Sequence, residues 1–294
     1  MDRKGLYNNR NKYVQKRIFI SKGIFLQMVL HIILIIGSIT MVVPFMWMIS
    51  TSLKEMNQVF VIPPIWLPNP IKWSNYLKAW NALPFANAYI NSLKIAAIVV
   101  VGRLITSSMA AYAFAKIKFQ GRDLIFIIFL GTMMIPDQVT MIPTFILMKY
   151  FGWIDTHLPL IIPPALFNAF SVFFLRQFML SLPKELDEAA IIDGANHWII
   201  YTKITIPLIK PALSALAIFI FMGSWNNFMG PLIYLNTIKL YTVPLLLNSF
   251  KGLYITDWPL MMSASAIAII PVLIVYLIGQ RYIIEGIALT GIKE

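Results

Sequence analysis

Glu188-Ala189-Ala190-Ile191-Ile192-Asp193-Gly194, followed nine residues later by Ile204-Thr205-Ile206-Pro207, is a polar break in a chain that is otherwise mostly apolar. Its local chemistry predicts two short helices. Ser181-Leu182-Pro183 is expected to start the first, with Ser as a cap and Pro in the first turn, where its missing N–H goes unmissed. Glu185, Asp187 and Glu188 then place negative charge where the helix dipole favours it. Leu186, Ala189, Ala190 and Asp193 share one face by helical spacing. The small Ala189 and Ala190 let another backbone approach. Gly194 suits a left-handed residue that ends the helix. A second helix is expected over 196–206, with Pro207 and Pro211 breaking it before the next apolar run.

On either side the chain reads as membrane-spanning. It has 294 residues, 59% hydrophobic and 12% charged, with a mean hydropathy of +0.75. A soluble domain carries about 25% charged residues. Apolar runs near 20 residues recur, which predicts an all-α polytopic membrane protein. Six spans are expected, at 24–49, 89–116, 124–145, 158–179, 212–235 and 260–280. Residues 1–23 and 285–294 form the expected N- and C-terminal segments, 24–284 the transmembrane domain, and about 180–211 its polar loop. The net charge of +12 does not point to nucleic acid, because the basic residues flank apolar runs. Sixteen of the 24 Lys and Arg fall on the side of the termini, the 2–3 loop and the 4–5 loop. The positive-inside rule therefore places both termini and the polar loop in the cytoplasm of a multi-pass cell-membrane protein. Six fall on the other side, and Lys94 and Arg103 lie within span two. The basic N-terminus reads as the approach to a retained first span. The absence of cysteine excludes disulfides and thiolate chemistry. Trp66, Trp73, Tyr76 and Trp80, after Pro63-Pro64, read as an interfacial aromatic belt or as a docking surface for an external protein.

The polar stretch resembles the EAA loop of ATP-binding-cassette (ABC) importer permeases, whose pattern is E-A-A, three residues, G, nine residues, I-x-L-P. The spacing agrees throughout, and Ile206 replaces the usual Leu. Further likeness to carbohydrate-uptake permeases lies in Asn91-Ser92-Leu93, in Ala110 through Lys116 with Gly121-Arg122, in Met134-Ile135-Pro136 with Ile142-Pro143, and in Phe174-Leu175-Arg176. Gln280-Arg281-Tyr282 and Gly286 through Lys293 resemble the tail of the shorter maltose-type permease subunit. The resemblance implies a type I ABC importer permease fold. It also implies that Glu185, Glu188, Ala189, Ala190, Asp193, Gly194, Ala195, Ile204 and Pro207 form the element an ATPase grips. The implied partners are a second, related permease chain in a heterodimer, an ABC ATPase dimer that binds ATP and Mg, and an extracellular or periplasmic sugar-binding protein. The implied tail, with Gly286 and Gly291 as flexible points, reaches toward the ATPase. The chain lacks G-x-x-x-x-G-K-[ST], so no cofactor is expected on it and ATP belongs to the partner.

Polar groups at membrane depth face the bundle or a water-filled path. On that ground Trp225, Asn226, Asn227, Phe228, Asp137, Asn168 and Arg103 are candidate pathway residues. An indole beside amides is suited to a sugar ring and its hydroxyls, and equally to hydrogen bonds between helices. Pro136 is expected to kink span three. Arg103 is expected to pair with Asp137; the other reading is a bidentate contact to an acidic sugar. Asn168 and Ser171 read as helix packing. His31, His157 and His197 share no ligand spacing, and no nucleophile or carboxylate pair occupies a plausible pocket, so neither a metal site nor an enzyme is expected. The rival readings are an ion-coupled secondary transporter, an ABC permease for another cargo, and a non-transporting scaffold.

Overall fold

The computed structural model describes the backbone of residues 3–251 and 256–291, and side chains over 26–251 and 256–281. Among these residues the protein is all helix. In order, the helices are α1 Arg3–Ser52, α2 Ser74–Ala82, α3 Phe85–Lys116, α4 Arg122–Gly131, α5 Asp137–Tyr150, α6 Leu158–Ala165, α7 Ala169–Ser181 and α8 Lys184–Ile192. There follow α9 His197–Ile199, α10 Ile206–Leu208, α11 Lys210–Trp225, α12 Met229–Tyr234, α13 Val243–Asn248, α14 Trp258–Ala268 and α15 Ile270–Gly291. Four stretches are long and apolar enough to cross a membrane: Leu26–Ser52, Phe85–Lys116, Leu158–Ser181 and Trp258–Arg281. Two bent pairs raise the number to six if each counts as one span.

The axis of the fold is α3. Its buried residues recur at Ala88, Asn91, Ser92, Ile95, Ala96 and Val99, and again at Ser107, Ser108, Ala111 and Tyr112. That is one helical stripe. α7 and α11 pack along it, α6 lies against its middle, and α15 packs on α11; α1 and α2 lie against α14. Lipid is as apolar as Leu, so packing between spans rests on small residues and buried polar contacts. The interface reads accordingly. Ala79, Ala96, Ala111, Ala212, Ala264 and Ser263 are all fully buried. Outward-facing Ile and Leu on α1, α4 and α15 stay exposed, as suits lipid contact.

The stripe breaks between Val99 and Ser107. There a Cβ on Gly102 would stand 2.8 Å from Ala165 Cβ, so only glycine lets α6 come this close. α6 carries Pro163 and Pro164 and ends at Ala165, leaving carbonyls without helical partners. Arg103 Nε donates to Pro164 O at 2.6 Å and Thr106 Oγ1 to Ala165 O at 3.2 Å.

Several expectations change. Span three is a break of 96° between α4 and α5, not a kink. Ile135 is forced into extended backbone ahead of Pro136, which stands at the N-cap of α5. Span five ends at Trp225, and Asn226 through Phe228 form a non-helical link to α12. There the Asn227 side chain takes the Gly230 N–H at 3.1 Å, the competition with the helical ladder that amides offer. Ser181 does not cap α8; it closes α7 and donates to Phe178 O. α15 continues to Gly291, so Gly286 lies within a helix. Residues 292–294 of the expected tail lie outside the described residues.

Candidate functional site

The polar loop is a compact knob on the Lys116 end of α3. α8 ends as a Schellman turn: Ala195 N–H donates to Ala190 O at 2.9 Å and Gly194 N–H to Ile191 O at 3.0 Å, with Gly194 at φ +82°. Asn196 then caps the second helix, its side chain accepting from Ile199 N–H. This helix, His197–Leu208, runs through a π segment at 200–205. Pro207 therefore does not end it. The bend of 76° into α11 falls at Ile209, and Pro211 occupies the first turn of α11.

One face of the knob is fixed to the membrane helices. Ala190, Ile200, Tyr201 and Ile209 join the apolar cluster that holds Tyr112, Leu175 and Phe178. Lys116 Nζ lies 2.7 Å from Asp187 Oδ2. The Ser108 and Tyr201 hydroxyls are 2.8 Å apart, and Tyr112 Oη is 3.3 Å from His197 Nδ1. The inward residues of α8 are thus Asp187 and Ala190. Of the expected face of Leu186, Ala189, Ala190 and Asp193, only Ala190 is buried and the other three are exposed. Glu185, Glu188, Ala189, Asp193 and Gly194 are exposed, Ala195 and Ile204 are half-buried, and Pro207 is exposed. Beside them Ile192 is 85% exposed and Trp198 60%. An apolar cap on a polar loop calls for a protein partner.

The second site is a cavity of about 260 Å³ where the breaks in α6 and α11 meet the gap in the α3 stripe. Its walls include Arg103 of α3, Leu160 and Pro164 of α6, Ser224 of α11, Asn227 of the link and Thr242 just before α13. The structure thus brings Arg103 and Asn227 together at this cavity, while Trp225 and Asn226 line a different one and Phe228, half-buried, a third. Trp225 is 2% exposed; its indole donates to Ala268 O at 3.3 Å and packs on Tyr89 and Phe221. Asp137 is exposed in the first turn of α5, where the dipole favours it. Its expected pairing with Arg103 is absent among the ion pairs of the described residues. Asn168 caps α7 through Ser171 N–H at 2.9 Å.

Sequence reasoning missed the anchoring roles of four residues toward the other end of α3: Asn91, Ser92, Asp155 and Lys54. Asn91 Nδ2 donates to Lys239 O and Tyr241 O, and Ser92 Oγ accepts from Val243 N–H, which pins segment 236–248. Asp155, at φ 57°, accepts from Asn236 N–H, Thr237 N–H and Thr237 Oγ1. The bonds from Thr237, then from Asn236, hold its carboxyl below the usual range. Lys54 is fully buried with its Nζ 3.8 Å above the Trp47 ring, and burial pushes its ammonium down. Only Asp155, next to Gly152 in a turn, carried a local signal.

The profile of the family described as "Binding-protein-dependent transport system inner membrane component" matches residues 102–288. An arabinooligosaccharides transport system permease protein, AraQ, of Halalkalibacterium halodurans is 38% identical over 69% of this chain and 72% of its own length. The trehalose/maltose transport system permease protein MalG of Thermococcus litoralis is 34% identical over 90% and 97%. A bacterial ABC transporter involved in import of the acidic polysaccharide alginate has a solved chain of the same fold, with a TM-score of 0.78 and 26% identity over 88% of this chain and 96% of that one. The chain belongs to this family of membrane permease components of ABC importers.

Proposed function

We propose that the chain is one half of the translocation path of an ATP-driven importer of oligosaccharides. The cargo class is supported by the arabinooligosaccharide, trehalose/maltose and alginate transporters it is similar to. Residues 184–208 are the contact for the ATPase, which binds ATP and Mg. A second, related permease chain completes the path, and a sugar-binding protein delivers cargo from outside. Both termini and the knob face the cytoplasm, in keeping with the distribution of Lys and Arg.

The observation that carries this reading is the two-sidedness of the knob. Its inner face is clamped to α3 by an ion pair, two side-chain contacts and apolar packing. Its outer face presents Ile192 and Trp198 among acidic residues. A partner that closes on the outer face therefore moves α3 with it. Such a partner shifts the permease between states only if it binds one state better.

The test is ATP hydrolysis by the complex purified through a tag on this chain and placed in lipid. Stimulation by a sugar-loaded binding protein is expected, and its loss in Gly194→Asp. Absence of a co-purifying ATPase, with uptake driven by an ion gradient alone, contradicts the reading.

A further inference from the structure

The cavity beside Arg103 has an imbalance of charge and hydrogen bonding. Among the described residues no carboxylate lies within ion-pair distance of Arg103, and no Asp or Glu lines the cavity. Among the described residues the guanidinium makes one hydrogen bond, from Nε to Pro164 O. That bond holds the fork in place and leaves the terminal amino groups uncommitted. Thr242, which also lines the cavity, is 5% exposed, and its Oγ1 is buried without a hydrogen-bond partner. A buried hydroxyl without a partner costs about 1–3 kcal/mol, so its persistence needs a reason. Asn227 Oδ1 accepts from Gly230 N–H, and its amide N–H groups are the donors it can offer a ligand. Ser224 adds a hydroxyl to the lining.

These groups offer donors around one cation, and no carboxylate in the lining matches its charge. The hydroxyls can accept as well as donate, so what singles out an anion here is the uncompensated guanidinium. An oxyanion takes donors only, and the planar guanidinium matches it in two parallel bonds. We propose that Arg103, Ser224, Asn227 and Thr242 form an oxyanion subsite, so that the cargo is a sugar bearing a carboxylate or phosphate. This rests on the importer reading above and narrows it. The volume of about 260 Å³ is small for a whole ligand, so the subsite holds the charged end of a cargo that passes along it.

The test is uptake by cells that express the complete transporter. The probes are a digalacturonate, its methyl diester as neutral isostere, a phosphorylated disaccharide and maltose. The readout is the ratio of charged to neutral uptake, normalised to the amount of protein in the membrane. In the parent a ratio well above one is expected for the carboxylate probe, the phosphate probe or both, and the preferred probe identifies the anion. Arg103→Gln is expected to lower that ratio at least tenfold, and Arg103→Lys to lower it less, since the charge stays and the fork is lost. Thr242→Val, which keeps the volume, is expected to lower the ratio about threefold; it covers the case in which loss of the Pro164 bond impairs folding of the Arg103 variants. A parent ratio near one, or a ratio unmoved in Thr242→Val and in Arg103→Lys, overturns the subsite while leaving the importer reading intact. A complex with no co-purifying ATPase, or uptake driven by an ion gradient alone, overturns the importer reading itself.

Discussion

The knob at 184–208 and the cavity beside Arg103 lie on the same helix, and they are built by opposite means. The knob is assembled from short-range rules: acidic residues in a first turn, a Schellman glycine, an Asn cap. The cavity is assembled from contacts across the chain, with Arg103 reaching Pro164 and Ser92 reaching Val243. One is a compact unit clamped to α3. The other is a set of helix breaks whose spare polar groups are met by distant partners. α3, with 32 residues and a rise of about 1.5 Å each, spans roughly 48 Å and joins the two.

The strongest way to break this contrast is at Gly194. Its φ of +82° costs most other L-residues about 1–2 kcal/mol, and Asn or Asp less. No neighbouring atom would meet the new Cβ, so the strain is in the backbone and the charge of Gly194→Asp falls on the exposed face. We expect uptake and stimulated ATP hydrolysis to fall by about tenfold or more, with unchanged protein in the membrane. Glu188→Lys, exposed on the same face, is expected to act in the same direction. Transport at the parent rate in both variants would sink the coupling role.

The next effect is at the clamp. The Lys116 and Asp187 side chains are 9% and 21% exposed, so removing one leaves a mostly buried charge alone, at about 1–3 kcal/mol. Asp187→Asn is expected to lower the melting temperature of the complex and weaken stimulation. The double variant Lys116→Met with Asp187→Leu is expected to lose less than the two single losses combined; strict additivity would show that the pair is uncoupled. A smaller effect is expected from Tyr201→Phe, which keeps the ring against Tyr112 and gives up the bond to Ser108, worth about 1 kcal/mol. Stimulated hydrolysis should fall modestly, and an unchanged value would remove that hydroxyl from the coupling.

The smallest effect sharpens the other end. The Asp155 carboxyl, held low by its bonds from Thr237 and Asn236, contributes stability above the ordinary carboxylate range. That stability is lost as pH falls through its lowered value. Protease protection of segment 236–248 is therefore expected to be flat near neutral pH and to drop only below about pH 4. Asp155→Asn should abolish this step, and an identical pH profile in the variant would rule out Asp155 as its origin.

What the sequence shows of each region follows from the same contrast. Gly194 as a left-handed stop and the loop between helices were legible because neighbours within five residues decide them. Which residues of α8 turn inward was not legible, because Lys116, the partner of Asp187, lies about 70 residues away. Trp225 and Asn227 stand two residues apart in one polar-aromatic run. One fills the core against Tyr89 and the other lines the cavity, and no local pattern separates them. Arg103 was legible as unusual, but its carbonyl partner depends on where the prolines of α6 end that helix. Pro136 by itself predicts a kink, and the extended backbone of Ile135 before it makes a break instead.

The most direct test uses the absence of cysteine from this chain. Single cysteines replace Ile192, 85% exposed on the knob, and Ile62, 92% exposed in the segment before α2. Each is linked through a thiol-to-amine reagent in the purified complex. We expect Ile192→Cys to capture the ATPase and Ile62→Cys not to. Capture at Ile62, or an ATPase in the complex that Ile192→Cys never reaches, would contradict the assignment of the knob as the coupling element.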